Sequence, residues 1–214
     1  MKREKKQRTV IDMIKKWYHK IMAGVKKSSP NRIDEIHSLI CAEKESEVLN
    51  ILRTMPHVDL HSTYYYGHTI LGSAAVWNAI QVVKYLIETA GMSVDFPSKW
   101  GITPLMDAAC HCNFEIASYL VQHGANVNAL SPQGDTPLIW AVDNAVSGGE
   151  LSIVKLLIEN GADKDYIQPS TGLSLIRIAE LESRPDIVKY LASLEAGQNQ
   201  GGAKVHDTAK RNEE

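Results

Sequence analysis

The sequence predicts an all-α fold, a solenoid of stacked helix-turn-helix units that follows a basic amphipathic N-terminal helix. A short motif recurs along the 214 residues, starting at Gly67, Gly101, Gly134 and Gly172, at intervals of 34, 33 and 38 residues. An amphipathic segment follows each start, and an Asp or Asn closes each turn between units. Self-similarity at such a period indicates a repeat architecture, in which neighbouring units share one continuous core.

The start of each unit carries the signals of a helix N-terminus. The four starts read GHTILGSAA, GITPLMDAA, GDTPLIWAV and GLSLIRIAE. A threonine before a helix can accept a hydrogen bond from an otherwise unpaired backbone N–H. Proline fits the first helical position, where no N–H is needed. Small alanine side chains let the helices of adjacent units approach closely, so we expect one short helix after each start.

The second segment of each unit has the pattern of a helix with one apolar face. The four segments read QVVKYLIETAG, EIASYLVQHGA, SIVKLLIENGA and DIVKYLASLEA. Pairs such as Ile116 and Leu120 lie four residues apart and therefore on one face. Gly124, at the end of its segment, suits the left-handed residue that ends many helices. Because one unit cannot bury such a face alone, we expect the units to stack.

The third unit, GITPLMDAACHCNFEIASYLVQHGANVNA, resembles the ankyrin-repeat family. It has Gly, Thr-Pro-Leu, Ala-Ala and Gly-Ala at that family's spacing. The resemblance covers residues 33 to 194 and weakens at both ends, where the first unit lacks the starting motif and Ser174-Leu175 replaces Thr-Pro in the last. It implies about five repeats joined by β-turn fingers, at residues 33–66, 67–100, 101–133, 134–171 and 172–194.

Charge divides the chain into a basic arm and an acidic body. Residues 1–32 hold 11 Lys and Arg against two acids, whereas the remaining residues hold 12 against 23. We therefore predict a basic amphipathic helix and hinge over 1–29 and an ankyrin-repeat domain over 30–195. Residues 196–214 offer few apolar side chains to bury, which predicts a disordered tail.

The composition disfavours several classes of protein. No apolar run approaches the roughly 20 residues of a membrane-spanning helix, and charged residues interrupt the candidate signal segment. Three scattered cysteines make no disulfide framework and are typical of reduced thiols. An acidic array disfavours nucleic acid, whose phosphates need a basic face. We therefore expect a cytoplasmic protein.

The basic arm allows four interpretations. Residues 10–25 place Val10, Met13, Ile14 and Trp17 at spacings of three and four, which is one apolar stripe of a helix. Such a helix could cap the first repeat, fold back on the acidic array, serve as a ligand for a partner, or lie on an anionic membrane surface. Capping or folding back is the favoured interpretation.

Cys110, His111 and Cys112 form the local motif most suggestive of metal or thiol chemistry. They follow an alanine pair and close the first helix of the third repeat, where consecutive side chains point about 100° apart. Tetrahedral zinc needs a second ligand pair, which the sequence lacks, so we predict neither a metal nor another cofactor. An enzyme that uses Cys110, His111 and an acid such as Asp107 is kept as a less favoured alternative.

The family resemblance implies that a partner binds on a concave face, lined by the fingers and by the first helix of each repeat. Three of the four tryptophans and a run of three tyrosines map to that face, and such residues are enriched among interface hot spots. The alternative is that some rings pack against neighbouring fingers. Ile102 and Pro132 occupy further positions of the same kind. The predicted partner-binding residues are Tyr64, Tyr65, Tyr66, His68, Ser73, Val76, Trp77, Lys99, Trp100, Asp107, Cys110, His111, Gln133, Asp135, Trp140, Asp143 and Asn144.

The sequence therefore predicts a non-catalytic module that binds, sequesters or inhibits another protein through this aromatic face. Acids interleaved with the rings, namely Asp107, Asp135 and Asp143, predict a partner segment of basic or mixed character. One alternative is an adaptor that residues 10–25 tether to an anionic membrane surface. Less favoured alternatives are a bacterial effector or immunity component and the Cys-dependent enzyme.

Overall fold

The structure of the chain, a computed structural model, describes residues 32–54, 60–61, 63, 67–143 and 151–201, with side chains as far as residue 195. The all-α class is confirmed, because these ranges hold helices and one isolated bridge, Ile167 to Ser174, but no strand. The predicted basic helix at residues 10–25 lies outside them. The described helices form five hairpins: α1 (Arg32–Cys41) with α2 (Glu45–Thr54), α3 (Ile70–Val76) with α4 (Ile80–Lys84), α5 (Pro104–Cys110) with α6 (Phe114–Gln122), α7 (Pro137–Val142) with α8 (Leu151–Glu159), and α9 (Leu175–Leu181) with α10 (Pro185–Gly201).

Threonine caps the first helix of the three middle hairpins, as the sequence predicts. The Thr103 hydroxyl accepts a hydrogen bond from the Met106 backbone N–H at 3.3 Å, and Thr69 and Thr136 cap α3 and α7 in the same way. Ser174, which replaces threonine before α9, makes no such bond. These caps set where each first helix begins and therefore which of its side chains face the neighbouring unit.

The stacked hairpins share one core of aliphatic residues and alanines. The apolar side of α6 and of α8, including Ile116, Leu120 and Leu157, is fully buried. α5 packs on both α3 and α7, and its Ala108 and Ala109 are fully buried as well. Small side chains at these two positions allow the close approach of the short first helices. The first helices thus form one layer, and the second helices form the other.

The second unit is one residue longer than the third, and the structure places that residue in a π-helical turn. α4 passes directly into a π helix, Tyr85–Thr89. Gly91 follows Val82 by nine residues, whereas Gly124 follows Ile116 by eight, although both pairs occupy the same places in their hairpins. A π turn holds one residue more than an α turn. The glycine and the finger that follow therefore return to the register of the stack.

Three of the starting glycines lie close to the finger turn that ends their own unit. Gly101 has φ +72°, and a Cβ there would lie 2.8 Å from Pro132 Cγ of the next finger. Only glycine satisfies both this backbone conformation and this close approach. Inside the fingers, the buried hydroxyls of Ser98 and Ser131 each accept hydrogen bonds from two backbone N–H groups. These contacts hold the fingers in a row beside the first helices.

Polar side chains join consecutive units outside the core. The Asn113 amide, at the start of α6, donates to the carbonyl oxygens of Ala75 and Val76 at the end of α3, at 2.6 and 3.0 Å. The turn residue Asp95 accepts the backbone N–H of Asn126 in the next unit. Because these hydrogen bonds connect different units, they fix how one hairpin sits on the next.

The C-terminal helix α10 is the longest described, with 17 residues. It continues to Gly201, beyond the domain end at residue 195 that the sequence predicts. That boundary rests on the loss of apolar residues, whereas backbone hydrogen bonds can extend a helix without them. Neither α10 nor any other helix in the described ranges combines the length and apolar character needed to cross a bilayer.

Candidate functional site

A groove of about 680 Å³ runs along the first helices and fingers of the second, third and fourth units. Its walls are side chains from several consecutive units, so its shape depends on the stacking of the hairpins. This surface is termed the groove below. It is lined by His37, His68, Ser73, Val76, Trp77, Trp100, Ile102, Asp107, His111, Gln133, Asp135 and Trp140.

The repeat places equivalent residues side by side along the groove. One row holds the residue that follows each starting glycine, and a second row holds the fourth residue of each first helix. Because the units stack in register, each row crosses the groove from unit to unit. The first row is His68, Ile102 and Asp135, and the second row is Ser73, Asp107 and Trp140.

Trp100 forms an aromatic wall of the groove at the tip of a finger. Its indole is 44% exposed. It meets the His68 ring edge to face, with centroids 5.0 Å apart, and the Lys99 ammonium lies 5.7 Å from its centroid. The ring therefore packs against neighbouring side chains and remains partly exposed. Trp77 and Trp140 are partly buried, and Trp77 also packs against the core.

The floor of the groove is polar and buried. Asp107 is only 5% exposed, and its Oδ2 has no hydrogen-bond partner among the described residues. Burial raises the pKa of this carboxyl to about 8. The indole Nε1 of Trp140 is likewise buried without a partner, and Ser73 is 1% exposed. Ser73 and Asp107 are therefore floor residues and not the surface residues that their repeat positions predict.

His37 reaches the groove from the first hairpin, which contributes no predicted site residue. It is buried, its Nδ1 lies 3.0 Å from Ser73 Oγ, and the Cys41 thiol sulfur lies 3.3 Å from its Nε2. Burial, with the nearby His68 ring, lowers the pKa of His37 to about 3. One sequence signal points to it, because His37 is four residues from Ile33 and so lies on the apolar stripe of α1.

None of the described side chains that line the groove carries a positive charge near neutral pH. Burial lowers the pKa of His68, with a further contribution from His111, and burial also lowers the pKa of His111. Among the described residues, the lining has two carboxyl groups, Asp107 and Asp135, and no Lys or Arg. Asp135 is already engaged, since its Oδ1 accepts a hydrogen bond from the Gln168 amide at 2.6 Å. Asp107 is the carboxyl that remains unpaired on the floor.

The structure brings together ten of the predicted partner-binding residues and separates others from them. Lys99, Cys110 and Asp143 are described but do not line the groove. Tyr64 to Tyr66 and Asn144 lie outside the described residues. The groove residues in the predicted set are His68, Ser73, Val76, Trp77, Trp100, Asp107, His111, Gln133, Asp135 and Trp140.

The cysteine motif does not assemble a thiol site. Burial raises the pKa of the Cys110 thiol to about 12, and Asp107, Cys112 and Asp143 add to the shift. His111 Nδ1 lies 3.0 Å from the Asp107 carbonyl oxygen. Cys112 has φ +57°, in the turn after α5. Within the described ranges, no three His, Cys, Asp or Glu side chains converge as metal ligands would.

Ser73 and His37 have the distance of a nucleophile and its base, but their hydrogen bonds run the other way. The Ser73 hydroxyl donates to the Thr69 carbonyl oxygen at 2.9 Å. His37 Nδ1–H then donates to Ser73 Oγ, which leaves Nε2 to accept from the Cys41 thiol. With a pKa near 3, the His37 imidazole is also a poor base. This cluster is therefore structural.

Comparison with known proteins identifies the repeats. The family model described as ankyrin repeats in three copies matches residues 38–131 and 90–168. An ankyrin repeat protein of Rickettsia felis is 38% identical over 89 residues, which is 41% of this chain and 38% of that protein.

Two further relatives are larger proteins. The RelA-associated inhibitor of Mus musculus is 30% identical over 128 residues, 59% of this chain and 15% of its own length. The palmitoyltransferase ZDHHC13 of Homo sapiens is 30% identical over 141 residues, 65% of this chain and 21% of its own. The chain thus spans less than two-fifths of each of these relatives, so the functions in their names belong to those whole proteins.

Proposed function

This chain belongs to the ankyrin-repeat family, whose repeats generally mediate protein–protein interaction, and we propose that it holds a segment of another protein in the groove. The observation that carries the proposal is the groove itself, about 680 Å³ in volume and bordered by Trp77, Trp100 and Trp140. Aromatic side chains that are already ordered give contact area at a low entropy cost on binding. A preformed aromatic groove therefore favours capture of a partner segment.

We propose that this capture sequesters or inhibits the partner without any chemical step. One relative, 30% identical over 59% of this chain, is named an inhibitor. The high pKa of Cys110 disfavours thiol catalysis, because the thiolate is the nucleophilic form of cysteine. A module without a reactive group acts by occupying its partner's surface.

Affinity purification with matched variants tests the proposal. Trp100→Ala removes the wall of the groove, and Phe114→Ala is its control, because Phe114 is 43% exposed and lies outside the groove. We expect the wild type and Phe114→Ala to capture the same protein and Trp100→Ala to lose it. Calorimetry with that purified protein should then show an affinity loss of about tenfold or more, as for a hot-spot tryptophan.

Trp100 suits this test better than Trp77. Trp77 packs against the core, so its removal is expected to lower the stability of the fold as well as binding. The contact of Trp100 with His68 is peripheral, and its variant should unfold within a few degrees of the wild type. Equal capture by wild type, Trp100→Ala and Trp140→Ala would remove the groove as the binding surface.

A second candidate function is a membrane-tethered adaptor, which the charge of the N-terminal segment supports. Residues 1–32 carry 11 basic residues against two acids, and basic amphipathic segments bind anionic bilayers. Cosedimentation with vesicles containing phosphatidylserine tests it. Binding that disappears when residues 1–29 are removed supports the tether, and equal binding of the shortened chain contradicts it.

A further inference from the structure

The geometry points to a specificity pocket in the floor of the groove, in which Asp107 and Trp140 bind a lysine side chain and an adjacent peptide carbonyl of the partner segment. This inference rests on the proposed function and deepens it, because it names the chemistry of the captured segment. Two polar atoms carry the inference, Asp107 Oδ2 and Trp140 Nε1, and each is buried without a partner among the described residues.

Asp107 Oδ2 and Trp140 Nε1 have opposite hydrogen-bonding needs. In the ionised form of Asp107, Oδ2 is an acceptor that lacks a donor among the described residues, and the Trp140 indole N–H is a donor that lacks an acceptor there. A buried polar group without a partner destabilises the protein by the full cost of its desolvation. Each atom therefore favours a ligand that supplies its missing hydrogen-bond partner. A ligand that supplies one donor and one acceptor matches both needs.

The spacing of the two residues suits a peptide. They occupy the same position on α5 and α7, which pack against each other, and packed helices lie roughly 8–10 Å apart. A lysine stem and the backbone beside it cover such a span. The ammonium can then reach Asp107 while a nearby carbonyl oxygen accepts the Trp140 N–H.

The walls favour lysine over other donors. No Lys or Arg side chain is among the described residues that line the groove, although the Lys99 ammonium lies 5.7 Å from the Trp100 ring centroid, outside that lining. The indole faces beside the floor can contact the lysine stem and attract its charge. Only one oxygen of Asp107 is buried and unpaired, which fits a compact ammonium better than the two-pronged guanidinium of arginine.

The inference also predicts a pH dependence. Burial raises the pKa of Asp107 to about 8, so the free protein holds this carboxyl mainly protonated at pH 7, and a bound ammonium favours its ionised form. Affinity for a lysine peptide should therefore rise with pH and level off above about 8. The titratable groups near Asp107 are His37 in α1, His68 before α3, Asp135 before α7, Asp143 at the end of α7, and Cys110 and His111 beside it.

Selection from random 12-residue peptides displayed on phage, with the full chain as bait, supplies the probe. We expect the enriched peptides to share a lysine. The resynthesised peptide is then measured against wild type, Asp107→Asn, Trp100→Ala and the matched control Asp143→Asn, which makes the same side-chain change outside the groove. Asp107→Asn should weaken binding about tenfold, the usual effect of losing a charge-assisted hydrogen bond, and Asp143→Asn less than twofold.

Replacing the peptide lysine by norleucine completes a double-mutant cycle between that lysine and Asp107. We expect this change to weaken binding about tenfold with the wild type and hardly at all with Asp107→Asn. Affinity for the lysine peptide should rise between pH 6 and 8.5 with the wild type but not with Asp107→Asn. Circular dichroism and thermal unfolding establish that each variant is folded, and Asp107→Asn keeps the size of the side chain.

The outcomes separate this inference from the proposed function. Enriched peptides that need Trp100 but carry no lysine, or that bind Asp107→Asn equally well, overturn the pocket and leave the groove as a binding surface. Peptides whose binding depends on neither Trp100 nor Asp107 overturn both the pocket and the proposed function. A selection that enriches no peptide does the same. An arginine peptide that binds more tightly overturns the preference for lysine. If the lysine peptide binds only after residues 1–29 are removed, the chain's own basic segment is the occupant of the pocket. That result overturns the proposal that a partner supplies the lysine.

Discussion

The carboxylate of Asp107 lies directly above the backbone of Gly72 in the neighbouring unit. A Cβ on Gly72 would stand 2.8 Å from Asp107 Oδ2, closer than real Cβ contacts allow. The positions equivalent to Gly72 in the next two units hold Met106 and Ile139. Because Gly72 has no side chain, the second unit leaves room for the Asp107 carboxyl group of the third unit.

This contact predicts an energetic coupling between the two residues. Gly72→Ala should destabilise the wild type by about 1–2 kcal/mol, because the new methyl displaces a buried carboxylate. In an Asp107→Ala background the same change should stabilise the protein by about 0.5–1 kcal/mol, because alanine favours a helix interior more than glycine. Urea unfolding of the four proteins measures the coupling. An equal effect of Gly72→Ala in both backgrounds would contradict the contact.

Asp107 should make the folded state less stable as pH rises. Its carboxyl has a pKa of about 8 in the folded chain against an ordinary value of 3.8, so the folded state binds more protons between these limits and loses stability through that range. His37, His68 and His111 have lowered pKa values and act oppositely, an effect that fades as pH rises above their ordinary value of 6.5. Between pH 6.5 and 8 the effect of Asp107 therefore remains.

Asp107→Asn isolates this effect. From pH 6.5 to 8 we expect the wild type to lose up to about 2 kcal/mol of unfolding free energy relative to Asp107→Asn, at roughly 1.4 kcal/mol per pH unit. Asp107→Asn should lose much less, because its amide does not titrate. Urea unfolding at pH 6.5, 7.2 and 8 measures both proteins, below the range in which the Cys110 thiol ionises. Parallel curves would show that Asp107 is not buried as an acid.

Asn113 should be a strong link between the second and third units. Asn113→Ala removes two hydrogen bonds and leaves the carbonyl oxygens of Ala75 and Val76 unpaired at the end of α3, with an expected loss of about 1–3 kcal/mol. Asn160→Ala is the control, because the exposed Asn160 amide donates to the Leu156 carbonyl oxygen in the helix that Asn160 follows and bonds to no other unit among the described residues. Urea unfolding should show a loss several times smaller for the control. Equal losses would argue that the bond between units adds nothing.

The π-helical turn should tolerate the removal of its extra residue. Deleting Thr89, the exposed last residue of that turn, restores the spacing found in the third unit and should leave the unfolding midpoint unchanged or raise it. Deleting Gln122 from the regular helix α6 should lower the midpoint by several degrees, because Gly124 and the buried Ala125 are then rotated out of register. Thermal unfolding followed by circular dichroism compares the two deletions. Similar losses would mean that the π turn holds no surplus residue.

Short-range features were predictable because they depend on neighbours in the sequence. Threonine, proline and glycine at fixed offsets predict the caps and turns, and the structure has them at Thr69, Thr103 and Thr136. The extra residue of the second unit is visible in its 34-residue interval. The sequence did not predict that this residue lies in a π turn, because an insertion can also be absorbed in a loop.

The position of the groove could be inferred from the family resemblance, but its depth could not. Trp100 and Asp107 occupy positions of the same general class, yet one is 44% exposed and the other 5%. The difference arises because Gly72 opens a space beneath Asp107, whereas the finger holds Trp100 against His68 at the rim. Such burial depends on residues more than 30 positions away.

The sequence by itself determined the repeat and the alternation of helices and turns, because period and helix signals act over a few residues, whereas the residues expected to share one side of the array came from the family resemblance. Only the tertiary structure decided that His37 of the first unit joins the groove and that Asp107 and Trp140 present unpaired polar atoms on its floor. The physical reason is that burial and hydrogen-bond satisfaction depend on the side chains supplied by adjacent units, and stacking alone brings these side chains together.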